Sequence, residues 1–189
     1  MALEDREKWD KKYKENSKLL IDTEATLFVR KYCNVTTFKE ALDLACGVGR
    51  NSIFLAKKGF KVDAIDISKI ALDVLRDKGE KNINIIEADL DNFIPKKEYG
   101  LIIKCNFLDR DLINKTKMFL KKGGVYIVES YVEDSNNEKK SYNHEFLLKK
   151  DELLKIFKSD FEVLEYKTFW KESYEKYKIK KATIAVRKI

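Results

Sequence analysis

Between residues 41 and 131, short apolar runs alternate with amphipathic stretches, and that rhythm narrows the fold more than any other feature of the chain. The runs are Ala41–Ala45, Phe60–Ile65, Ile83–Ala88, Gly100–Cys105 and Gly124–Tyr131, each read as a strand. Helical spacing fills the gaps. Asn51–Lys58 carries Ile53, Phe54 and Ala56 and stops at Gly59, a good C-terminal glycine. Ser68 suits the N-cap of a helix through Lys78, which Gly79 ends. Arg110–Lys121 reads as another helix. Strands alternating with helices of about ten residues predict parallel βαβ units in a doubly wound α/β sheet.

The two ends depart from that rhythm. Residues 5–32 place Trp9, Tyr13, Leu19, Leu20, Ala25, Leu27, Phe28 and Tyr32 at helical intervals. Asp22 and Thr23 interrupt them, so one helix or two form an N-terminal helical cap. After Tyr131, Glu133–Ser141 is polar and reads as a loop, and Lys150–Lys158 as a helix. Phe161–Phe169 and Lys180–Arg187 alternate like strands, joined by the polar Lys171–Lys178. Two strands with no helix between them predict a C-terminal antiparallel hairpin, making seven strands in all. With no repeat and no Pro/Gly/Ser linker, the expectation is one domain over residues 1–189. It divides into the cap (1–38), a ligand-binding half (39–131) and a loop, helix and hairpin on the substrate side (132–189).

Composition removes several classes. Hydrophobic residues make up 44% of 189 and aromatics 12%, enough for a sizeable core. One His and three scattered Cys (Cys33, Cys46 and Cys105) cannot build a zinc ribbon or a His-rich site, so no metal is expected. Those Cys do not form a disulfide pattern, which suits a reducing cytoplasm. No apolar run approaches the ~18 residues of a membrane span. The opening MALEDREKWDKKYKEN is charged throughout, unlike a signal peptide. Lys plus Arg is 39 and Asp plus Glu is 32, a formal charge of +7. Such a balance suits either a nucleic-acid partner or a solvated Lys/Glu surface.

The most informative segment is Leu42-Asp43-Leu44-Ala45-Cys46-Gly47-Val48-Gly49-Arg50-Asn51, a strand, a glycine turn and a helix start. Gly47 and Gly49 permit a tight turn and close approach of a ligand to the backbone. Unpaired amides at the helix start add partial positive charge. Ser52 stands where G-x-G-x-x-G needs its third glycine, which counts against a dinucleotide pyrophosphate. Asp43, inside the strand before the turn, would repel a pyrophosphate but suits an ammonium group. Asp66, 23 positions on, ends the second strand, where an acid takes ribose hydroxyls. Asp89 follows the third strand and can accept from an adenine amino group. An amine, a ribose and an adenine in a row describe S-adenosylmethionine.

With those residues in view, Leu42–Gly49 resembles the first motif of class I S-adenosylmethionine-dependent methyltransferases, whose fold is Rossmann-like. The longer GRNSIFLAKKGFKVDAIDIS is similar to small tellurite-resistance (TehB-like) and thiopurine-methyltransferase-like members. Trp9 and Tyr13 resemble an N-terminal W-x-x-x-Y helix, LKKGGVYIVES a fifth strand, and Phe146–Glu165 the segment leading into a sixth. The resemblance implies that Asp43 and the Ala45, Cys46, Gly47 and Gly49 turn, with Asn51 at the helix start, hold the methionine moiety. It assigns Asp66 to the ribose, Ile67 to packing on adenine, and Asp89 with Leu90 to the adenine edge. Cys105 and Asn106 would line the floor, and Tyr13 would close the pocket.

Each assignment has a structural alternative. Asp43, Asp66 and Asp89 are also what turn or helix caps look like, Cys105 a small core filler, and Trp9 and Tyr13 plain core. Trp9, Arg110 and His144 are the substrate-side candidates. His144, the only histidine, is the one candidate general base, against a loop histidine with no role. Arg110 at a helix start reads equally as a salt bridge. A sulfonium donor needs alignment and water exclusion more than a base, so a soft or already anionic small acceptor is expected. The hairpin connection carries Trp170, Tyr174 and Tyr177 but no His or Arg. Lys104-Cys105-Asn106-Phe107 is not the N/D-P-P-Y/F tetrapeptide of amino-group methylation on bases, so an RNA or protein acceptor is the second reading and a non-catalytic scaffold the third. Monomer and homodimer both remain open.

Overall fold

A computed structural model describes residues 2–21, 24–138, 143–173 and 176–189. In chain order it runs α1 (Ala2–Glu15), a 3-10 turn (Ser17–Leu20), α2 (Leu27–Tyr32), β1 (Glu40–Leu44), α3 (Arg50–Lys57), β2 (Lys61–Asp66) and α4 (Lys69–Asp77). Then follow β3 (Ile83–Glu87), β4 (Tyr99–Cys105), α5 (Arg110–Thr116), β5 (Leu120–Tyr131), α6 (Glu152–Ile156), β6 (Phe161–Glu172) and β7 (Lys178–Lys188). The strands form one seven-stranded sheet in the order β3-β2-β1-β4-β5-β7-β6. The first five are parallel, and β7 runs antiparallel to both β5 and β6. The expected doubly wound sheet with a terminal antiparallel hairpin is the fold observed.

Side-chain alternation sorts the core onto two faces. Leu42, Leu44, Ile102, Tyr126, Val128 and Ile184 pack on one side with Leu112, Leu153 and Phe157. Ala41, Val62, Ala64, Leu101, Ile103, Ile127 and Ala185 pack on the other with α2, α3 and α4 through Val29, Leu55 and Leu75. Burial on both sides explains why the strands read as continuous apolar runs. The same parity carries Asp43, Asp66, Cys105, Glu129, Lys181 and Thr183 onto the second face, each near the carboxyl edge of the parallel strands. A polar row therefore crosses the sheet where such folds bind ligands.

Several boundaries differ from the sequence expectation. The helix expected over 110–121 stops at Thr116. Thr116 Oγ1 bonds back to Leu112 O at 2.6 Å and to the Tyr126 hydroxyl at 2.8 Å. Leu120 already pairs with Tyr99, so β5 is longer than expected. The helix over 150–158 shrinks to Glu152–Ile156, whereas the hairpin strands lengthen because each pairs along most of its length. The cap is two α-helices joined by the 3-10 turn; Asp22 and Thr23 lie outside the described residues, as does Tyr174. Ser68 does cap α4, its hydroxyl accepting from Ala71 N.

Candidate active site

The glycine turn is held tightly. Ala45, Gly47 and Gly49 all have positive φ (56°, 55° and 80°). Cys46 N donates to Ile65 O at 2.9 Å, tying the turn to the end of β2. A Cβ on Gly49 would lie 2.3 Å from Leu75 Cδ1, and one on Gly47 would lie 2.8 Å from the Tyr13 hydroxyl. Here the bare backbone is required by both conformation and space.

Acidic groups surround this turn. Asp43 is 1% exposed and accepts from the Ser52 hydroxyl at 2.6 Å. Burial pushes its carboxyl up to about 7, against the pull of Ser52 and Arg50. Ser52 thus has a positive role where the sequence offered only a missing glycine. Asp66 is 8% exposed and accepts from Gly47 N at 2.8 Å and Ser68 N at 2.9 Å. Burial raises its pKa, and those backbone donors oppose the rise. Ile67 beside it is half-buried. Asp89, also half-buried, accepts from Asp91 N at 3.0 Å and Asn92 Nδ2 at 3.2 Å, and Leu90 next to it is buried.

α1 lies across the same edge. Asp10 accepts from the Ser68 hydroxyl at 2.6 Å and from Ile70 N at 3.2 Å, and Arg6 pairs with Glu87. Tyr13 thereby covers Gly47, and burial raises its phenol pKa so that it stays protonated. Trp9 packs on Tyr13 at 6.4 Å between ring centroids. On the other side, Thr26 N donates to Asn51 Oδ1 at 2.9 Å, and Arg50 Nη2 donates to Thr26 Oγ1 at 3.2 Å. The Thr26 hydroxyl reaches Cys105 Sγ at 3.6 Å. The Cys105 thiol is pushed up to about 12 by burial and is no nucleophile at neutral pH. Asp10, Ser52 and Thr26 were invisible to motif reading, since each acts through a partner 9 to 79 positions away.

The substrate-side candidates fall elsewhere. Arg110 is committed to structure: it pairs with Glu152 and donates to Glu145 O at 2.7 Å and Leu147 O at 2.9 Å. It therefore ties the segment after the polar loop to α5. His144 is 78% exposed by side chain and shares 2.9 Å with Glu133 Oε1. Among the described residues neither touches the glycine turn. Asn106 has φ 64° and accepts from Lys181 Nζ, while Lys181 also pairs with Glu129 at 3.0 Å. Motif reading had found only Asn106 of these three. Among the described residues no group of three His, Cys, Asp or Glu is placed to hold a metal, and no helix is long and apolar enough to cross a membrane.

The fold is similar to those of solved methyltransferase structures. The crystal structure of TehB from Haemophilus influenzae superposes with a TM-score of 0.78 at 25% identity, covering 87% of this chain and 63% of that one. The glycopeptide N-methyltransferase MtfA, solved with S-adenosyl-L-methionine, gives 0.62 at 17% identity over 88% of both chains, a likeness of fold. The chain belongs to the tellurite resistance protein TehB family, which matches residues 1–181. A ribosomal protein L11 methyltransferase from Ruminiclostridium cellulolyticum is 31% identical over 122 residues, covering 60% of this chain and 38% of that protein. The probable S-adenosyl-L-methionine-dependent methyltransferase TehB from Haemophilus influenzae is 28% identical over 165 residues, 79% of this chain. The chain spans 38% and 57% of the lengths of these two curated relatives.

Proposed function

We propose that the chain binds S-adenosylmethionine along the carboxyl edge of β1, β2 and β3 and transfers its methyl group to a small acceptor. The observation that carries this reading is the cradle itself: two glycines whose Cβ positions are filled by Leu75 and Tyr13, flanked by Asp43, Asp66 and Asp89 at three successive strand ends. When bound, the donor supplies a methyl group on an already activated sulfonium. The protein's part is to bind, orient and exclude water. Asp66 takes the ribose hydroxyls, exchanging its bond to Gly47 N for them. Ile67 packs on the adenine, and Asp89 with Leu90 meets its amino edge. Asp43, held by Ser52, lies under the turn formed by Ala45, Cys46, Gly47 and Gly49 and balances the ammonium end. Asn51 anchors Thr26 above that turn. Tyr13 and Trp9 close the site from α1, and Cys105 with Asn106 forms its floor.

Soft or anionic small molecules, such as a thiol or a chalcogen oxyanion, are the acceptors this chemistry suits, since the transfer needs no dedicated base for them. A protein or RNA acceptor is the second reading, favoured by the relative named for ribosomal protein L11 and by the +7 charge. Calorimetry is expected to detect S-adenosylmethionine binding to the intact chain and an affinity at least ~100-fold weaker in Asp66→Ala, where about 1.4 kcal/mol is lost per tenfold. No binding by the intact chain would sink the reading. A transfer screen over thiols, selenite, tellurite, carboxylates and RNA then selects the acceptor.

A further inference from the structure

α1 is tied down about once per turn, and each tie falls beside a different strand end of the donor site. Arg6, Asp10 and Tyr13 are spaced i, i+4 and i+7, so they share one face of the helix. Arg6 pairs with Glu87 at the end of β3. Asp10 reaches the start of α4, just after β2. Tyr13 covers Gly47 in the turn after β1, its hydroxyl 2.8 Å from where a Cβ would stand. Burial, and then the charge of Asp66, raise the Tyr13 pKa, so the ring also lies beside the carboxylate of β2. The helix therefore crosses the whole edge along which the donor is proposed to lie.

Apolar burial contributes little to holding α1 there. None of the side chains from Leu3 to Glu15 is fully buried, and neither face of the core includes a residue of α1. Trp9 packs on Tyr13 and carries Lys12 over its ring at 4.4 Å, contacts made within the helix itself. The Arg6 and Glu87 side chains are 43% and 26% exposed, and an ion pair so exposed is worth little. Asp10 is the strong tie. Its Oδ1 accepts from the Ser68 hydroxyl at 2.6 Å and from Ile70 N at 3.2 Å. Ser68 Oγ in turn accepts from Ala71 N, so Asp10 completes the cap of α4 from outside it. A carboxylate placed there meets unpaired amides and the positive end of the helix dipole.

We propose that α1 is a gate over the donor site and that Asp10 is its latch. S-adenosylmethionine enters, and the demethylated donor leaves, when Asp10 releases the start of α4 and the helix lifts. This rests on the methyl-transfer reading above and adds to it how the donor site opens. Lifting exchanges the two bonds to Asp10 for bonds to water and exposes no core side chain, so the gate moves while the sheet stays folded. Docked again, the helix sets Tyr13 over the methionine end and keeps water from it. Asp10 acts through α1 and is a positioning residue.

The test follows dissociation of radiolabelled S-adenosylmethionine from the intact chain into an excess of the unlabelled compound. Asp10→Ala is expected to speed it at least ~10-fold, the loss of a helix cap read as a rate. Asp10→Asn, whose amide oxygen still accepts both bonds, is expected to fall between Asp10→Ala and wild type. Association is expected to be as fast or faster in both variants, because an unlatched helix stands open more often; a merely damaged site would bind more slowly. In wild type, trypsin is expected to cut α1 after the exposed Lys8 and Lys11 at least ~10-fold more slowly when S-adenosylmethionine is bound. If Asp10→Ala does not fold, Asp10→Asn and the trypsin comparison are read in its place. Unchanged dissociation, slowed association, or cutting of α1 that ignores the donor overturns the inference and leaves the donor site standing. An intact chain that binds no S-adenosylmethionine defeats the methyltransferase reading itself, and the inference with it.

Discussion

The glycine turn after β1 and the charged cluster of Glu129 and Lys181 at the end of β5 lie toward the same face of one sheet, yet they are assembled from different kinds of contact. The turn is largely local: Asp43, Gly47, Gly49 and Ser52 lie within ten positions, and Asp66 reaches back 19 to Gly47. The cluster is joined across 52 positions between Lys181 and Glu129 and across 75 between Lys181 and Asn106. Spacing alone can announce a local device, because strand, turn and helix start fix the geometry of neighbours. A long-range device exists only once β7 has inserted antiparallel between β5 and β6.

The largest effect is expected at the turn. Gly49→Ala forces a left-handed conformation on a side chain and drives its Cβ into Leu75, a combined cost of about 3 kcal/mol. Its S-adenosylmethionine binding, read by calorimetry, is expected to vanish, and its melting temperature to fall. A variant that still binds would show that the turn is less constrained than its geometry indicates.

Asp43→Asn sharpens the contrast through pH. The folded carboxyl titrates at about 7, above its unfolded value of 3.8. The folded state then holds an extra proton between those values, so stability is lost as pH rises from about 4 to 7. Wild type is expected to show that decline in denaturant titrations, and Asp43→Asn to lack it while losing donor affinity about tenfold or more. A flat wild-type profile would mean that the carboxylate is solvated after all.

On the opposite face, Lys104 is fully buried, with Nζ donating to Phe107 O. Burial brings its pKa down to about 7 from 10.5. Here the unfolded chain holds the extra proton, so stability rises with pH across that window. Lys104→Met is expected to abolish the rise and to raise stability at pH 7 by about 1 kcal/mol. A large loss of stability would identify the Phe107 bond as indispensable.

The smallest effect is expected at His144, which is exposed and bonded to Glu133. His144→Ala should change stability by less than about 0.5 kcal/mol and transfer rates by less than twofold. A hundredfold loss would move the acceptor chemistry out to the loop and break the comparison.

Much of the fold was legible because burial on both faces leaves apolar runs that glycines and caps punctuate. β1, β2, β3 and β4 lie within a residue or so of where the runs placed them, and Ser68 and Gly59 punctuate as expected. Asp66 and Asp89 turned out to have helix-start and turn donors, as the capping reading expected, at the same edge of the sheet as the proposed site. Arg110 was ambiguous because a guanidinium beside a helix start serves ligand or structure equally well; Glu152 and two carbonyls assign it to structure. Ser52 was read only as a missing third glycine, because its partner, nine residues back, faces it only after the turn closes.

Order along the chain was enough to establish the parallel sheet, the bare glycine turn and the run of acids, because each depends on neighbours within one βα unit. The path of α1 across that turn and the burial that lifts Asp43 were settled only in three dimensions. So was the meeting of Glu129, Lys181 and Asn106. These depend on which distant segments share a face, and desolvation and ion pairing are properties of that shared space rather than of residue order.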